Sequence, residues 1–249
     1  MKIAVTGGTG TLGRHVAAEL RARGHEVRVL SRSAPEYRVD LTTGEGLDRA
    51  LNGCDVVVDA SNNPSAKAAS QTLVEGSRRL LAAEEAAGVR HHVCVSVIGC
   101  DRVPVGYFRV KAGQERVVEQ GPVPWSIVRA TQFHEYVVTM LDGVRRWPVL
   151  PVPRVPVQTV ASTEVAQAVA DVAEGPPRQG RVLVAGPEIS GTRELVLAWL
   201  SSTGRHALLL PLPLPGRLGR ALRAGALTAK RPDVRGATPF TAWLSTQSG

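Results

Sequence analysis

Short apolar runs alternate with longer amphipathic stretches through the first half of the chain. Lys2-Ile-Ala-Val-Thr6 reads as a buried strand, and Glu26-Val-Arg-Val-Leu30 as a second, alternating and rich in β-branched residues. Between them, residues 12–23 carry apolar side chains at helical spacing and stop at Gly24, a normal helix end. The rhythm continues. A short strand is expected at Tyr37–Leu41, a helix up to Leu51, and a strand at Asp55–Asp59 whose uninterrupted valines suit a parallel sheet buried on both faces. A long helix is expected from Ser65 to Ala87, then a strand at His91–Ser96, a helix from Tyr107 to about Gln120, and a strand at Pro124–Arg129. Strands and helices in this order predict an α/β protein of Rossmann type, a doubly wound parallel sheet with helices on both faces.

After residue 134 the texture changes. Prolines crowd 148–156, a helix is expected over Ser162–Ala173, and Arg181-Val-Leu-Val-Ala185 is expected to rejoin the sheet. The remainder is less regular. The expected division is a dinucleotide-binding core over 1–133 and a small C-terminal substrate lobe over 134–249.

The stretch between the first strand and the first helix gives the pattern a chemistry. Gly7, Gly10 and Gly13 form G-x-x-G-x-x-G in the strand–turn–helix setting that a dinucleotide site requires. Gly7 lets the chain turn sharply, Gly10 lets a pyrophosphate approach bare backbone, and Gly13 lets the helix pack close to the strand. The amides of Thr11 and Leu12 are then free donors at a helix N-terminus, an anion site by geometry and by dipole. Gly7, Thr9, Gly10, Thr11, Leu12 and Gly13 are the expected pyrophosphate residues.

The end of the second strand selects the coenzyme. A carboxylate there would hold a ribose 2′-hydroxyl; this chain has Ser31-Arg32-Ser33. Arg32 can pair with a 2′-phosphate, with Arg14 a second candidate, so NADP(H) is expected over NAD(H). Asp40 and Leu41 are expected beside the adenine.

Composition narrows the remaining classes. At 249 residues with 43% hydrophobic content the chain can bury a full core. No stretch approaches the roughly 20 apolar residues of a membrane span, and the N-terminus lacks a signal-peptide pattern, so a cytoplasmic protein is expected. Cys54, Cys94 and Cys100 are odd in number and show no paired spacing, which supports neither a disulfide framework nor a zinc site. Adjacent His91 and His92 point to opposite faces of a strand, which argues against a shared metal. The net charge of +8 admits nucleic acid or an anionic membrane surface as partners. Yet the densest basic stretch, Arg217 to Arg235, has no aromatic residue for base stacking. A solvated arginine-rich surface is expected, with a small-molecule substrate, no nucleic acid and no membrane; a homodimer is open.

Tyr107 and Lys111 are four apart on a helix and share one face. A nearby ammonium is expected to favour the phenolate and lower the tyrosine pKa, making Tyr107 a proton donor and acceptor near neutral pH. Ser96, ending the preceding strand, can hydrogen-bond a substrate carbonyl. His134 reads either as an alternative acid or as a satisfied structural group.

Taken together, Thr6-Gly-Gly-Thr-Gly-Thr-Leu-Gly13, Ser96-Val-Ile-Gly99, Tyr107-Phe-Arg-Val-Lys111, Trp125-Ser-Ile-Val-Arg-Ala-Thr-Gln-Phe133 and Thr241-Ala-Trp-Leu244 resemble the short-chain dehydrogenase/reductase superfamily. The likeness is greatest to its atypical NAD(P)H-binding branch of NmrA-like and quinone-reductase-like proteins. The resemblance implies that Ala60 and Ser61 flank the cofactor and that Thr131 to Phe133 line its nicotinamide end. It implies an NADPH-dependent reductase of an apolar or aromatic carbonyl, quinone or enone, with Tyr107, Lys111 and Ser96 catalytic and Lys111 also holding the cofactor ribose. Members of the branch that bind NADP(H) as regulators without turnover, and isomerases on the same fold, define the alternatives.

Overall fold

In the computed structural model, which describes residues 1–63, 66–103 and 105–247, the first half follows the expected alternation. In order come β1 (Lys2–Thr6), α1 (Thr11–Ala22), β2 (Glu26–Ser31), β3 (Tyr37–Arg38), α2 (Leu47–Leu51), β4 (Val56–Asp59), α3 (Ala66–Ala69), α4 (Gly76–Ala87), β5 (His91–Val97), α5 (Gly106–Glu119) and β6 (Trp125–Ala130). The expected helix start at Ser65 and the loop end at Pro64 lie outside the described residues. Where one regular helix was expected, a π-helical segment, Ser70–Glu75, joins α3 to α4.

The second half supplies β7 (Gln132–Phe133), α6 (His134–Gly143), β8 (Val149–Pro153), β9 (Pro156–Val160), α7 (Ser162–Glu174), β10 (Arg181–Ala185), β11 (Ile189–Gly191), α8 (Thr192–Ser202), β12 (Leu208–Leu212), α9 (Gly216–Arg223), β13 (Val234–Arg235) and α10 (Phe240–Gln247). It is more regular than its proline-rich sequence suggests. Prolines 151 and 153 are accommodated because β8 pairs on one side only, with β12.

Eight parallel strands form the central sheet in the order β13-β10-β6-β5-β4-β1-β2-β3. Strand order reverses between β1 and β4, which opens a crevice at their C-terminal ends. One face is covered by α1 and α7: Val16 and Leu20 meet Val165, Val169 and Val172 over the valines of β1, β4 and β5. The other face is covered by α2, α4 and α5, with Leu47, Leu80 and Val118 in the core. Arg23, at the end of α1, ties the first pair by donating to Asp171 at 2.7 Å and Glu174 at 2.8 Å on α7. Outside the sheet, Trp199 of α8 packs with Leu150 and Val152 of β8.

The expected strand at Tyr37–Leu41 is cut short. The Asp40 carboxylate accepts hydrogen bonds from the Thr42 amide at 2.8 Å and the Thr42 hydroxyl at 2.7 Å. This local turn competes with the ladder and leaves only Tyr37 and Arg38 paired with β2.

Candidate active site

The turn after β1 is shaped by close backbone contacts. Gly7 has φ +64°, and a Cβ there would lie 2.7 Å from the Ala60 carbonyl oxygen after β4. A Cβ on Gly13 would lie 2.2 Å from the Gly7 carbonyl oxygen, so α1 rests directly on the turn only because residue 13 has no side chain. Thr11 and Leu12 open α1 and present amides that have no acceptor within the helix.

A cleft of about 940 Å³ runs over this turn along the C-terminal ends of the strands. At one end it is lined by Arg32, Ser33, Asp40 and Leu41, in the middle by Gly7, Thr9, Gly10, Thr11, Leu12, Ala60 and Ser61. The other end is formed by Ser96, Tyr107, Lys111, Thr131, Phe133 and Tyr136. The expected coenzyme and catalytic residues thus line one cavity, except Gly13 behind the turn and the two secondary candidates, Arg14 and His134. Arg14 is not in the lining; its Nε lies 3.5 Å from His15 Nε2. His134 also points away. It is fully buried between the rings of Phe240 and Trp243 and its Nε2 meets the Thr238 carbonyl oxygen at 3.1 Å, a structural role.

The cleft fits a polar ligand that brings hydrogen-bond donors as well as acceptors. Ser61 Oγ and Glu135 Oε2 are buried, line the cleft and have no hydrogen-bond partner among the described residues. Buried polar atoms without partners are rare in folded proteins, and a dinucleotide supplies the missing donors and acceptors. Asp40, beside Arg32, keeps a carboxylate pKa below the usual range, first through its hydrogen bonds from Thr42 and then through Arg32 and Arg38.

At the reactive end a polar chain runs into the protein. Tyr107, half-buried, donates from its hydroxyl to Asn62 Oδ1 at 2.9 Å. Lys111 is buried; its ammonium donates to the Val95 carbonyl oxygen at 2.7 Å and to Gln114 Oε1 at 2.5 Å. Gln114 donates in turn to Asp59 Oδ2 at 2.9 Å. Asp59 is fully buried and also accepts from the Thr6 hydroxyl, the Ser61 amide and Ser77. One turn past Lys111, Glu115 is held by Arg129 of β6 through two hydrogen bonds, 2.9 and 2.6 Å, which fix α5 against the sheet. Ser96 faces Cys100 Sγ at 3.9 Å, and burial with the Glu115 carboxylate pushes the Cys100 thiol up to about 12.

The expected pKa of Tyr107 is corrected by this arrangement. Burial raises it above the ordinary phenol value, and the Lys111 ammonium offsets only part of that rise. Lys111 in turn loses to burial, but Tyr107, Cys94, Asp59 and Glu115 leave its pKa above normal. At neutral pH the pair is a neutral phenol beside an ammonium, a proton donor rather than a base.

Beneath the cleft, His91 and His92 do point to opposite faces: His91 Nε2 meets Ser126 Oγ at 2.9 Å and His92 Nδ1 meets Glu84 Oε1 at 2.9 Å. The potential ligand atoms of His92, Asp59 and Cys94 lie within 4.8 Å of one another. Both oxygens of Asp59 are already engaged by donors. Burial opposes charge on His92, but the Glu84 carboxylate outweighs it and holds the imidazolium well above its usual pKa.

Fold and cleft define a nicotinamide-dinucleotide-binding protein. Its residues 7–176 match the family model described as NAD(P)H-binding, and the chain belongs to that family. The chain is 32% identical over 246 residues to the (4-alkanoyl-5-oxo-2,5-dihydrofuran-3-yl)methyl phosphate reductase of Streptomyces griseus, covering 92% of this chain and 82% of that protein. Its fold is shared with the NADPH-dependent quinone oxidoreductase of Escherichia coli, solved with NADPH, at TM-score 0.82 and 16% identity over 99% of this chain and all of that one (100%). It is shared also with a nucleoside-diphosphate-sugar epimerase of Staphylococcus aureus, at TM-score 0.79 and 17% identity over 98% and 99% of the two chains. No helix among the described residues is long and apolar enough to cross a membrane.

Proposed function

We propose that this protein is an NADPH-dependent reductase of a small apolar or aromatic carbonyl, quinone or enone compound. One observation carries the reading: the Tyr107 hydroxyl, Lys111 and Ser96 line the same continuous cleft as the glycine turn and Arg32. The glycine turn and the Thr11 and Leu12 amides would hold the pyrophosphate, and Arg32 with Ser33 the 2′-phosphate. Asp40 and Leu41 would flank the adenine; Ala60, Ser61, Lys111 and Thr131 would hold the rest of the coenzyme. A nicotinamide coenzyme held there would supply the hydride equivalent for the substrate carbon. Tyr107, neutral at physiological pH, gives its proton to the substrate oxygen; Ser96 orients that oxygen and the buried Lys111 ammonium stabilises the phenolate left behind. The named activity of the Streptomyces griseus relative supports reduction over isomerisation.

The test is direct. Purified protein with NADPH and a panel of quinones, enones and aromatic ketones should consume NADPH with at least one of them. If NADPH binds but no compound on a broad panel oxidises it, a cofactor-sensing role replaces the enzyme. If neither coenzyme binds, both fall.

A further inference from the structure

The β8–β12 ribbon is apolar on both faces and covered on only one. Its register pairs Val149 with Leu208, Pro151 with Leu210 and Pro153 with Leu212. Because side chains alternate across a strand, these six share a face. The opposite face, Leu150 and Val152 with Leu209, packs on Val196, Trp199 and Leu200. The outer face meets solvent: Leu208 is 61% exposed, Leu210 48%, Leu212 40% and Val149 37%. Trp147, just ahead of β8, is 54% exposed. A contiguous face of this kind, with no polar side chain on it, marks an interaction surface.

Basic residues flank this face along the chain. The stretches 143–163 and 195–232 contain nine arginines and lysines and no aspartate or glutamate, with Asp142 beside Arg145, Arg146 and Arg205. Arg205 precedes β12 and donates to the Arg145 carbonyl oxygen; Arg154 follows β8. Past β12, α9 presents exposed Arg217, Arg220 and Arg223 and folds back so that Arg223 donates to the Leu214 carbonyl oxygen at 2.7 Å. Cations thus stand at both ends of the leucine face.

We propose that this face docks the protein peripherally onto an anionic lipid surface, with the leucines and Trp147 entering the interface and the arginines meeting lipid phosphates. The apolar strip is narrow, two paired strands of five residues about 4.8 Å apart, whereas a stable protein interface takes roughly 800 Å² of accessible surface from each partner. A few apolar side chains with a basic rim are what shallow interfacial binding uses. A second copy would bring two predominantly basic rims together. The proposal concerns attachment and is independent of the catalytic reading.

The test is sedimentation of the 249-residue chain with phosphatidylcholine vesicles, with and without phosphatidylglycerol. Binding is expected only with the anionic lipid and should weaken with salt. The combined Leu208→Ser, Leu210→Ser, Leu212→Ser variant should lose at least about tenfold in partitioning, since each leucine contributes its transfer energy. The combined Arg217→Gln, Arg220→Gln, Arg223→Gln variant should lose up to about fivefold per arginine. The arginine set gives an answer even if the serine variant folds poorly, and retained NADPH binding reports folding of each. Equal binding to both vesicle types, no binding to either, or binding unchanged in the folded variants would overturn the proposal. So would concentration-dependent self-association of the parent chain that the serine variant abolishes, which would mean a second copy covers the face.

Discussion

Tyr107 of α5 gives its hydroxyl hydrogen to Asn62 Oδ1, in the loop after β4, across a distance of 2.9 Å. The bond spans the reactive end of the cleft and aims the phenol at the space between the two elements. With Lys111 committed to Val95 and Gln114, Asn62 is the group that orients this proton.

Replacing Tyr107 with Phe should therefore lower kcat by roughly 10²–10⁴-fold, the usual worth of a positioned acid, while leaving NADPH affinity within about twofold. Burial has raised the phenol pKa, so the protonated form persists through neutral pH. The rate of reduction should hold across that range and fall only above about pH 10, where an ordinary tyrosine would already ionise. A pH–rate profile of the parent protein checks the limb, and its displacement to near neutral pH would contradict the assignment of Tyr107 as a neutral donor.

Arg32→Ala should weaken NADPH by about 10–100-fold, the worth of one or two charge-assisted hydrogen bonds, and leave NADH nearly unchanged. Titrating both coenzymes by fluorescence separates the effects. Equal losses would remove the 2′-phosphate from the argument.

Gly13→Ala places a methyl group 2.2 Å from the Gly7 carbonyl oxygen, a contact that only displacement of α1 or of the turn can relieve. Coenzyme binding should be lost and the melting temperature should fall. Gly24→Ala, where nothing lies within 4 Å but φ is +83°, is the control: it should cost about 1 kcal/mol in stability and leave binding intact.

His92 and Glu84 form a fully buried pair, and His92→Leu leaves Glu84, whose pKa burial already raises, without its partner in the core. The expected cost is about 3–5 kcal/mol, roughly 10 °C in melting temperature for a chain of this size. Since the folded His92 pKa is raised, its stabilisation is complete below the unfolded value of about 6.5 and is lost as pH rises through the folded value. Melting temperature against pH should show this alkaline loss in the parent, whereas in His92→Leu the loss should begin at lower pH, because burial raises the pKa of Glu84 and its ionisation is then unsupported.

Much of this was legible because periodicity and glycine spacing are local. The valines of β4, the G-x-x-G-x-x-G turn and the Tyr107–Lys111 spacing each carry their meaning within a few residues. What escaped depends on tertiary contact. Asp59 reads as the polar end of a strand but is the buried acceptor for donors from β1, α4 and α5. Asn62 gains its role only once α5 lies beside its loop. The shift of Tyr107 has the opposite sign from the one its lysine suggests, because burial is invisible in a four-residue spacing. Tyr136 and Glu135 line the cleft through α6, which no caps or strong periodicity announced.

The clasp between α1 and α7, some 150 residues apart in the chain, has a consequence for biosynthesis. Until the ribosome has released α7, the Val16 and Leu20 side of α1 has no cover, and β6 lacks its outer neighbour until β10 emerges. A polypeptide truncated at residue 133 should therefore aggregate or recruit chaperones rather than form a miniature coenzyme binder, and nascent-chain proteolysis should show protection of the glycine turn arriving late.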